Sequence, residues 1–326
     1  MVMGSRGHER KQRAAETIQH NRSENMENKA SMTSLMSAFG RAYHNAHARD
    51  PIFRDTMAGE LMTDAEYRAI GGYILSGIDF FAPDKKGTFR DDDDALRYLV
   101  HTQIAPTPLV RAAWCEDALR TAVHTGVRQY VILGAGLDTF AYREPYFCAQ
   151  YPVFEVDHPQ TQADKRKRLT RAGIDVPDGV HYVPLDFTCD NLFDALLSAG
   201  YNPKKKTFFS WLGVSMYLDR TAIEHLLDEI AAHAPKGSSL VFDYASAALF
   251  LSEDRRVQNM LAMAQAGGEA MRSSFDPMSL ERMAGDHGFL VHEHLMTADI
   301  QKRYFANRDD DLSAFPCICF AHAVVQ

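Results

Sequence analysis

The chain has little cysteine, no long apolar run and no excess of positive charge, and each shortage removes a class of function. Its 326 residues include five cysteines, Cys115, Cys148, Cys189, Cys317 and Cys319, with no C-x-x-C pair among them. An odd, scattered set cannot complete a disulfide framework, so a reducing, cytoplasmic location is expected. Cys317 and Cys319 alternate in an apolar run and are expected on one face of a strand, as buried free thiols rather than metal ligands. The fourteen histidines contain no H-E-x-x-H spacing, and His292-Glu293-His294 reads as the polar edge of a strand, so no metal is assigned. No window approaches the roughly eighteen uninterrupted apolar residues of a membrane span. Against 35 basic residues stand 43 acidic ones, a net charge of −8 that disfavours nonspecific binding to nucleic acid. The first thirty residues are polar and basic without the apolar stretch of a secretory signal, and a polar arm is expected over 1–30.

What is present is an alternation of apolar runs and helical patterns with one conspicuous break. Val131-Ile132-Leu133 runs into Gly134-Ala135-Gly136-Leu137-Asp138-Thr139, a strand turning sharply at Gly-x-Gly. About twenty residues later a second apolar strand, Phe154-Glu155-Val156, ends in Asp157, which is where an acid can accept both hydrogen bonds of a ribose diol. Glycine at both positions lets backbone approach a ligand closely. Thr139 stands where the dinucleotide fingerprint has its third glycine, which counts against a nicotinamide cofactor.

Apolar residues recur at helical spacing from Ser31 (Leu35, Met36, Phe39, Tyr43) and continue through Met57, Leu61, Tyr67, Ile70 and Tyr73, so 31–105 is expected to be a helical cap region. The run Asp91–Asp94 reads as the start of a helix, with carboxylates facing its N-terminal dipole. A helix over 108–123 leads into a strand at 129–134. Strands near 152–157, 180–185, 207–213 and 238–244 then alternate with helices at 160–172, 190–199 and 220–233. The alternation implies an α/β fold with a parallel, doubly wound sheet over 106–326. Two late strands follow, at Phe289–Leu295 and within Phe315–Val325, after a strandless stretch, 246–288, expected to be a helical lid.

The segments Tyr130–Arg143, Val153–Arg166 and Phe208–Leu218 resemble the S-adenosylmethionine-dependent methyltransferases of the leucine carboxyl methyltransferase type, with the likeness running from about Ser31 onward. The resemblance implies a Rossmann-like sheet of seven strands with the last antiparallel, and S-adenosyl-L-methionine as cofactor. It also implies that Arg111, in Thr107-Pro-Leu-Val-Arg-Ala-Ala-Trp114, holds the cofactor carboxylate through its forked donors. Two departures from protein-directed members put a protein phosphatase substrate in doubt: Leu212 stands where they carry an acid, and Ser37 falls roughly where they carry a lysine.

Ligands of open α/β sheets lie beyond the carboxyl ends of the strands. On that basis Gly134, Ala135 and Gly136 are expected beneath the methionine part of the cofactor, Asp157 at the ribose, Asp186 and Phe187 at the adenine, and Leu212 with Gly213 beside the sulfonium. Arg41 is a second basic candidate. Tyr217, His101 and His44 are the titratable residues that could serve a phenol or alcohol acceptor as base, whereas a carboxylate acceptor, already ionised, needs none. Met216, Tyr217, Tyr244 and Phe250 are candidate pocket residues. Tyr244 and Arg272 are the candidate acceptor contacts, with capping of a following helix by Ser274 or Asp276 the competing reading of the segment around Arg272. The expected activity is O-methylation of a small-molecule carboxylate or hydroxyl, as in bacterial secondary metabolism. A cofactor-binding protein without catalysis and a nicotinamide-dependent oxidoreductase are the alternatives, and the oligomeric state is left open.

Overall fold

The computed structural model describes residues 33–187 and 190–326. Seven strands, β1 (Gln129–Leu133), β2 (Val153–Asp157), β3 (Val180–Pro184), β4 (Thr207–Trp211), β5 (Ser239–Ala245), β6 (Phe289–Leu295) and β7 (Ile318–Val325), form one sheet in the order β3-β2-β1-β4-β5-β7-β6. The pairs β1–β2, β1–β4, β2–β3 and β4–β5 are parallel, and β7 runs antiparallel to both its neighbours. β1 and β4 are buried throughout, as continuous apolar strands covered on both faces should be. The two-residue period sorts their side chains between two cores: Tyr130, Ile132 and Phe208 lie on one face, Val131, Leu133, Phe209 and Trp211 on the other.

The expected crossover helices appear at Pro106–His124, Pro159–Ala172, Leu192–Ser198 and Arg220–His233. Proline occupies the first turn of the helix Pro106–His124, where its missing N–H costs nothing, and Leu109, Trp114 and Leu119 bury one side. Strand order reverses between β1 and β4, so their carboxyl ends open a crevice.

Residues 33–47 are helical and bury Leu35, Ala38, Phe39, Ala42 and Tyr43 in the same core as Tyr130 and Ile132. The helical pattern does not continue as expected: 48–62 turns irregularly past Pro51, and helix resumes only at Asp64–Ser76, where Thr63 and Glu66 form a reciprocal cap. Tyr73 lies on the outside of that helix, 64% exposed. Asp91 caps the helix Asp92–Leu99, accepting from the Asp94 amide at 2.8 Å.

Within 246–288 the helix Pro277–Asp286, capped by Asp276, places Leu280, Met283 and Ala284 in the second core as the β5-to-β6 crossover. The remainder, with the helix Arg255–Ala266 and the segment to Met271, lies against the first core, while Phe275 is buried in the second. Cys317 does not share a face with Cys319. It precedes β7 with a φ of 63° and is half-buried, while Cys319 is buried in the strand. Cys189 lies outside the described residues.

Candidate cofactor and acceptor site

β1 ends at Leu133 and the chain hooks back on β2: the Gly134 and Ala135 amides both donate to the Val156 carbonyl, at 2.9 and 3.1 Å. Gly134 has a φ of +73°, and a Cβ there would stand 2.9 Å from a methyl of Val214; Gly136, at +47°, would set one 2.7 Å from Ser34 Oγ. Any other residue would be disfavoured twice at each position, by backbone conformation and by contact. The Gly136 amide donates to Asp157 Oδ2 at 2.5 Å and the His158 amide to Oδ1 at 2.7 Å. Burial pushes the Asp157 carboxyl above its ordinary value, and those two hydrogen bonds oppose the rise.

These residues open onto a cavity of about 500 Å³ at the β1/β4 crevice. The structure brings Arg111, Gly134, Ala135, Gly136, Asp157, Leu212, Tyr217 and Arg272 together around it. Arg111 reaches from its helix to Asp243 on β5, donating from Nε at 2.8 Å and from Nη2 at 2.6 Å. Burial raises the Tyr217 phenol above its ordinary value, so at neutral pH it is a proton donor and not a base. Arg272 is fixed through its backbone, whose amide donates to the Met216 carbonyl at 2.8 Å, while its side chain is exposed at the cavity wall.

Seven expected candidates are not in the lining of this cavity. His101 is buried in the π-helical turn Val100–Ile104, where Nδ1 donates to the Asp310 carbonyl, and burial lowers its imidazole. The companion candidate His44 is also buried, with Nε2 accepting from the Ile52 amide at 2.9 Å. Tyr244 points into the second core, its hydroxyl 3.0 Å from His294 Nδ1, because successive β5 residues face opposite sides and Asp243 has the cavity side. Asp186 and Phe187 follow β3 outside the lining, with Phe187 42% exposed. Met216 is buried beneath the cavity and Phe250 lies on the surface.

Sequence reasoning missed a charged network on the cap side. Asp55, fully buried, takes Arg41 Nε and Thr139 Oγ1 on Oδ2, each at 2.8 Å, and the Met57 and Ala58 amides on Oδ1. Arg143 donates to Thr139 Oγ1 and pairs with Glu116, and its guanidinium lies 4.7 Å over the Phe53 ring. Burial pushes the Asp55 carboxyl up, but Arg41 and Arg143 outweigh it and hold it below its ordinary value. Arg41 also donates to Ser37 Oγ and to the Leu137 carbonyl, so it is spent on structure. Asp55 sits alone in an irregular stretch, and Thr139 stood out only as a missing glycine, so neither announced its part.

The donor set suits an S-adenosyl ligand: a glycine turn at the cavity that a Cβ would crowd, an acid at the end of β2 and a forked cation across the crevice. A family model for leucine carboxyl methyltransferase matches residues 34–231. YktD of Bacillus subtilis (strain 168), which its name assigns to the S-adenosyl-L-methionine-dependent methyltransferases, is 42% identical over 300 residues, covering 91% of this chain and 98% of that protein. A protein of Mycolicibacterium smegmatis with the same assignment is 30% identical over 244 residues, 75% of this chain and 71% of its own. Among solved structures, a DUF574-family protein from Streptomyces avermitilis superposes with a TM-score of 0.50 at 17% identity, over 79% of this chain and 96% of that one, a likeness of fold. With this cradle and these relatives, the chain belongs to the leucine carboxyl methyltransferase family of S-adenosyl-L-methionine-dependent methyltransferases.

Proposed function

We propose that the chain methylates an oxygen of a small-molecule metabolite, and that the oxygen belongs to a carboxylate. The observation that carries this reading is the make-up of the cavity wall: among the described residues lining it there is no histidine or lysine, and the phenol of Tyr217 is held protonated. The five acids there are engaged: Asp55 by Arg41, Glu116 by Arg143, Asp138 by the Phe140 amide, Asp157 by two backbone amides and Glu269 by Thr33 Oγ1. An alcohol or phenol needs a base to shed its proton, whereas a carboxylate arrives ionised.

Bound in the cradle, S-adenosyl-L-methionine supplies an electrophilic methyl group on a sulfonium. Asp157 accepts from the ribose diol and Arg111 donates to the cofactor carboxylate. Leu137, Leu212 and Val214 line the cavity with apolar surface that keeps water from the reacting atoms, where charge neutralisation is favoured by a dry site. Tyr217 donates to one acceptor oxygen and leaves the other to attack, while Arg272 offsets the acceptor's charge.

The absent acid at Leu212 motivates the alternative of a non-catalytic cofactor binder, but a carboxylate from Asp243 already reaches the loop after β4, its Oδ1 accepting from the Gly213 amide at 2.6 Å. A dinucleotide is disfavoured because the glycine turn feeds only the four-residue helix Phe140–Arg143, too short to offer a strong dipole to a pyrophosphate. The test is transfer of labelled methyl from S-adenosylmethionine to panels of carboxylic acids, phenols and amines. Label released as volatile methanol by mild alkali marks a carboxylate acceptor, alkali-stable label marks another atom, and cofactor binding without transfer to any panel member favours the non-catalytic reading.

A further inference from the structure

We propose that Asp243 is a positioning residue for the cofactor, acting through Arg111; the inference rests on the cofactor reading above. Asp243 is fully buried and is not part of the cavity wall, so it cannot touch a ligand there. Its carboxylate nevertheless joins two elements that do form the wall. Oδ2 takes both Nε and Nη2 of Arg111, from the helix Pro106–His124, and Oδ1 takes the Gly213 amide, in the loop after β4. Its backbone carbonyl accepts in addition from Ser215 Oγ, which fixes the start of the turn that carries Tyr217. Nη1 of Arg111 is left out of the pair and lies against Gly213, 3.0 Å from where a Cβ on that residue would stand.

Two effects compete. Asp243 neutralises Arg111 and so weakens its long-range pull on any anion. It also removes the rotamer freedom of a long side chain and holds the planar fork with one edge spent and the other facing the crevice, so that a ligand carboxylate need not order it. The double contact from one side of the guanidinium, with the opposing backbone amide fixing the carboxylate, points to orientation as the dominant effect. Arg111 lines the cavity with 21% of its side chain exposed, so the guanidinium is not sealed off by the pair.

The test compares two ligands by calorimetry: S-adenosylhomocysteine, which carries the amino-acid carboxylate, and 5′-methylthioadenosine, which lacks the amino-acid part. The quantity read is the ratio of their dissociation constants. Asp243→Asn is expected to lower the preference for S-adenosylhomocysteine about tenfold while leaving 5′-methylthioadenosine nearly unchanged. Arg111→Ala is expected to lower it at least as far, with Asp243→Asn adding nothing further in that background. Equal weakening of both ligands would assign Asp243 a general structural role and overturn the proposal, as would an unchanged or increased preference, the outcome expected if charge neutralisation dominated. Should Asp243→Asn give no cooperative melt, Arg111→Lys carries the test: it keeps the charge and loses the fork, so retention of the wild-type ratio overturns the proposal and a matching loss supports it. If the wild-type chain binds neither ligand, the cofactor reading itself has failed; if it binds both and the ratio does not respond, only the role of Asp243 has.

Discussion

Replacing Asp157 by asparagine alters little in shape and separates what the carboxylate does for the fold from what it does for the ligand. Its two oxygens each accept one backbone amide, from Gly136 and His158. Asparagine has a single acceptor oxygen, so whichever way its amide turns, one N–H faces another donor. The unsatisfied amide costs about 1–3 kcal/mol of stability. A ribose diol loses a charge-assisted acceptor as well, about 1.5–3 kcal/mol, or about 10- to 150-fold in affinity. The two effects carry opposite pH signs. Burial raises the Asp157 pKa above its ordinary 3.8, so in the ligand-free chain its contribution to stability is fully present below 3.8 and declines as pH rises through the folded value. Diol binding needs the ionised form, so affinity is full above the raised pKa and falls as pH drops through it. Calorimetric titration of S-adenosylhomocysteine from neutral pH downward should show wild-type affinity weakening on acidification and Asp157→Asn starting weaker and staying flat. Binding by the variant within about twofold of wild type at neutral pH, with its fold intact, would refute the assignment.

Lys165 and Glu155, each 1% exposed and paired at 2.7 Å, give a stability test beneath β2. Lys165→Met should cost about 3–5 kcal/mol in urea unfolding by stranding a buried carboxylate, and adding Glu155→Gln should recover most of it; an equal loss in both variants would show that the pair is not the cause. Gly134→Ala meets both an unfavourable φ and the Val214 methyl, so a loss of about 1–3 kcal/mol is expected together with loss of S-adenosylhomocysteine binding; wild-type affinity would remove this loop from the site. Burial lowers His44 and His322 to about 4, below the 6.5 of an unfolded histidine. Their contribution to stability is therefore full above 6.5 and is lost as pH falls toward 4, at up to about 1.4 kcal/mol per pH unit each. His322→Phe should make the acid limb of unfolding free energy against pH shallower by about that amount, and an unaltered slope would contradict the burial argument.

The sheet was legible because parallel strands buried on both faces read as continuous apolar runs, and β1, β2 and β4 lie within a residue or two of their expected positions. The helix Pro277–Asp286 was folded into an expected lid because amphipathic spacing does not say which core an apolar face will meet. Tyr244 was misassigned by strand parity: a shift of one residue along β5 exchanges the cavity face, held by Asp243, for the second core. His101 looked catalytic only while its partners were unknown, and the carbonyl that occupies it comes from Asp310, more than two hundred residues away. The glycine turn and the strand-end acid Asp157 were legible because they are local signals, whereas Asp186 and Phe187, expected at the adenine, lie outside the cavity lining. The buried acids Asp55, Glu116 and Asp243 were not legible, since they gain their meaning from partners far off in sequence.

Those same long-range pairs decide which wall of the cavity is cheaper to open. Asp55 ties the cap helix, through Arg41, to Thr139 beside the glycine loop, and Arg41 donates directly to the Leu137 carbonyl. Lifting the cap would strand a fully buried carboxylate, a cost of about 3–5 kcal/mol that would keep such an open state below about one molecule in a hundred. Across the cavity the segment carrying Gly268, Glu269, Ala270 and Arg272 meets the cap helix through Thr33 Oγ1 and Glu269 Oε2, an exposed hydrogen bond of 3.0 Å. A bond of that kind is worth at most about 1–2 kcal/mol in water. The Thr33–Glu269 contact is therefore the weaker of the two ties to the cap helix, while Asp55 and Arg41 hold the cap and the glycine loop as one unit. On that wall Arg272 stays fixed through its backbone, whose amide donates to the Met216 carbonyl, so its exposed side chain is held in reach of the acceptor proposed above without any need for the cofactor cradle to move.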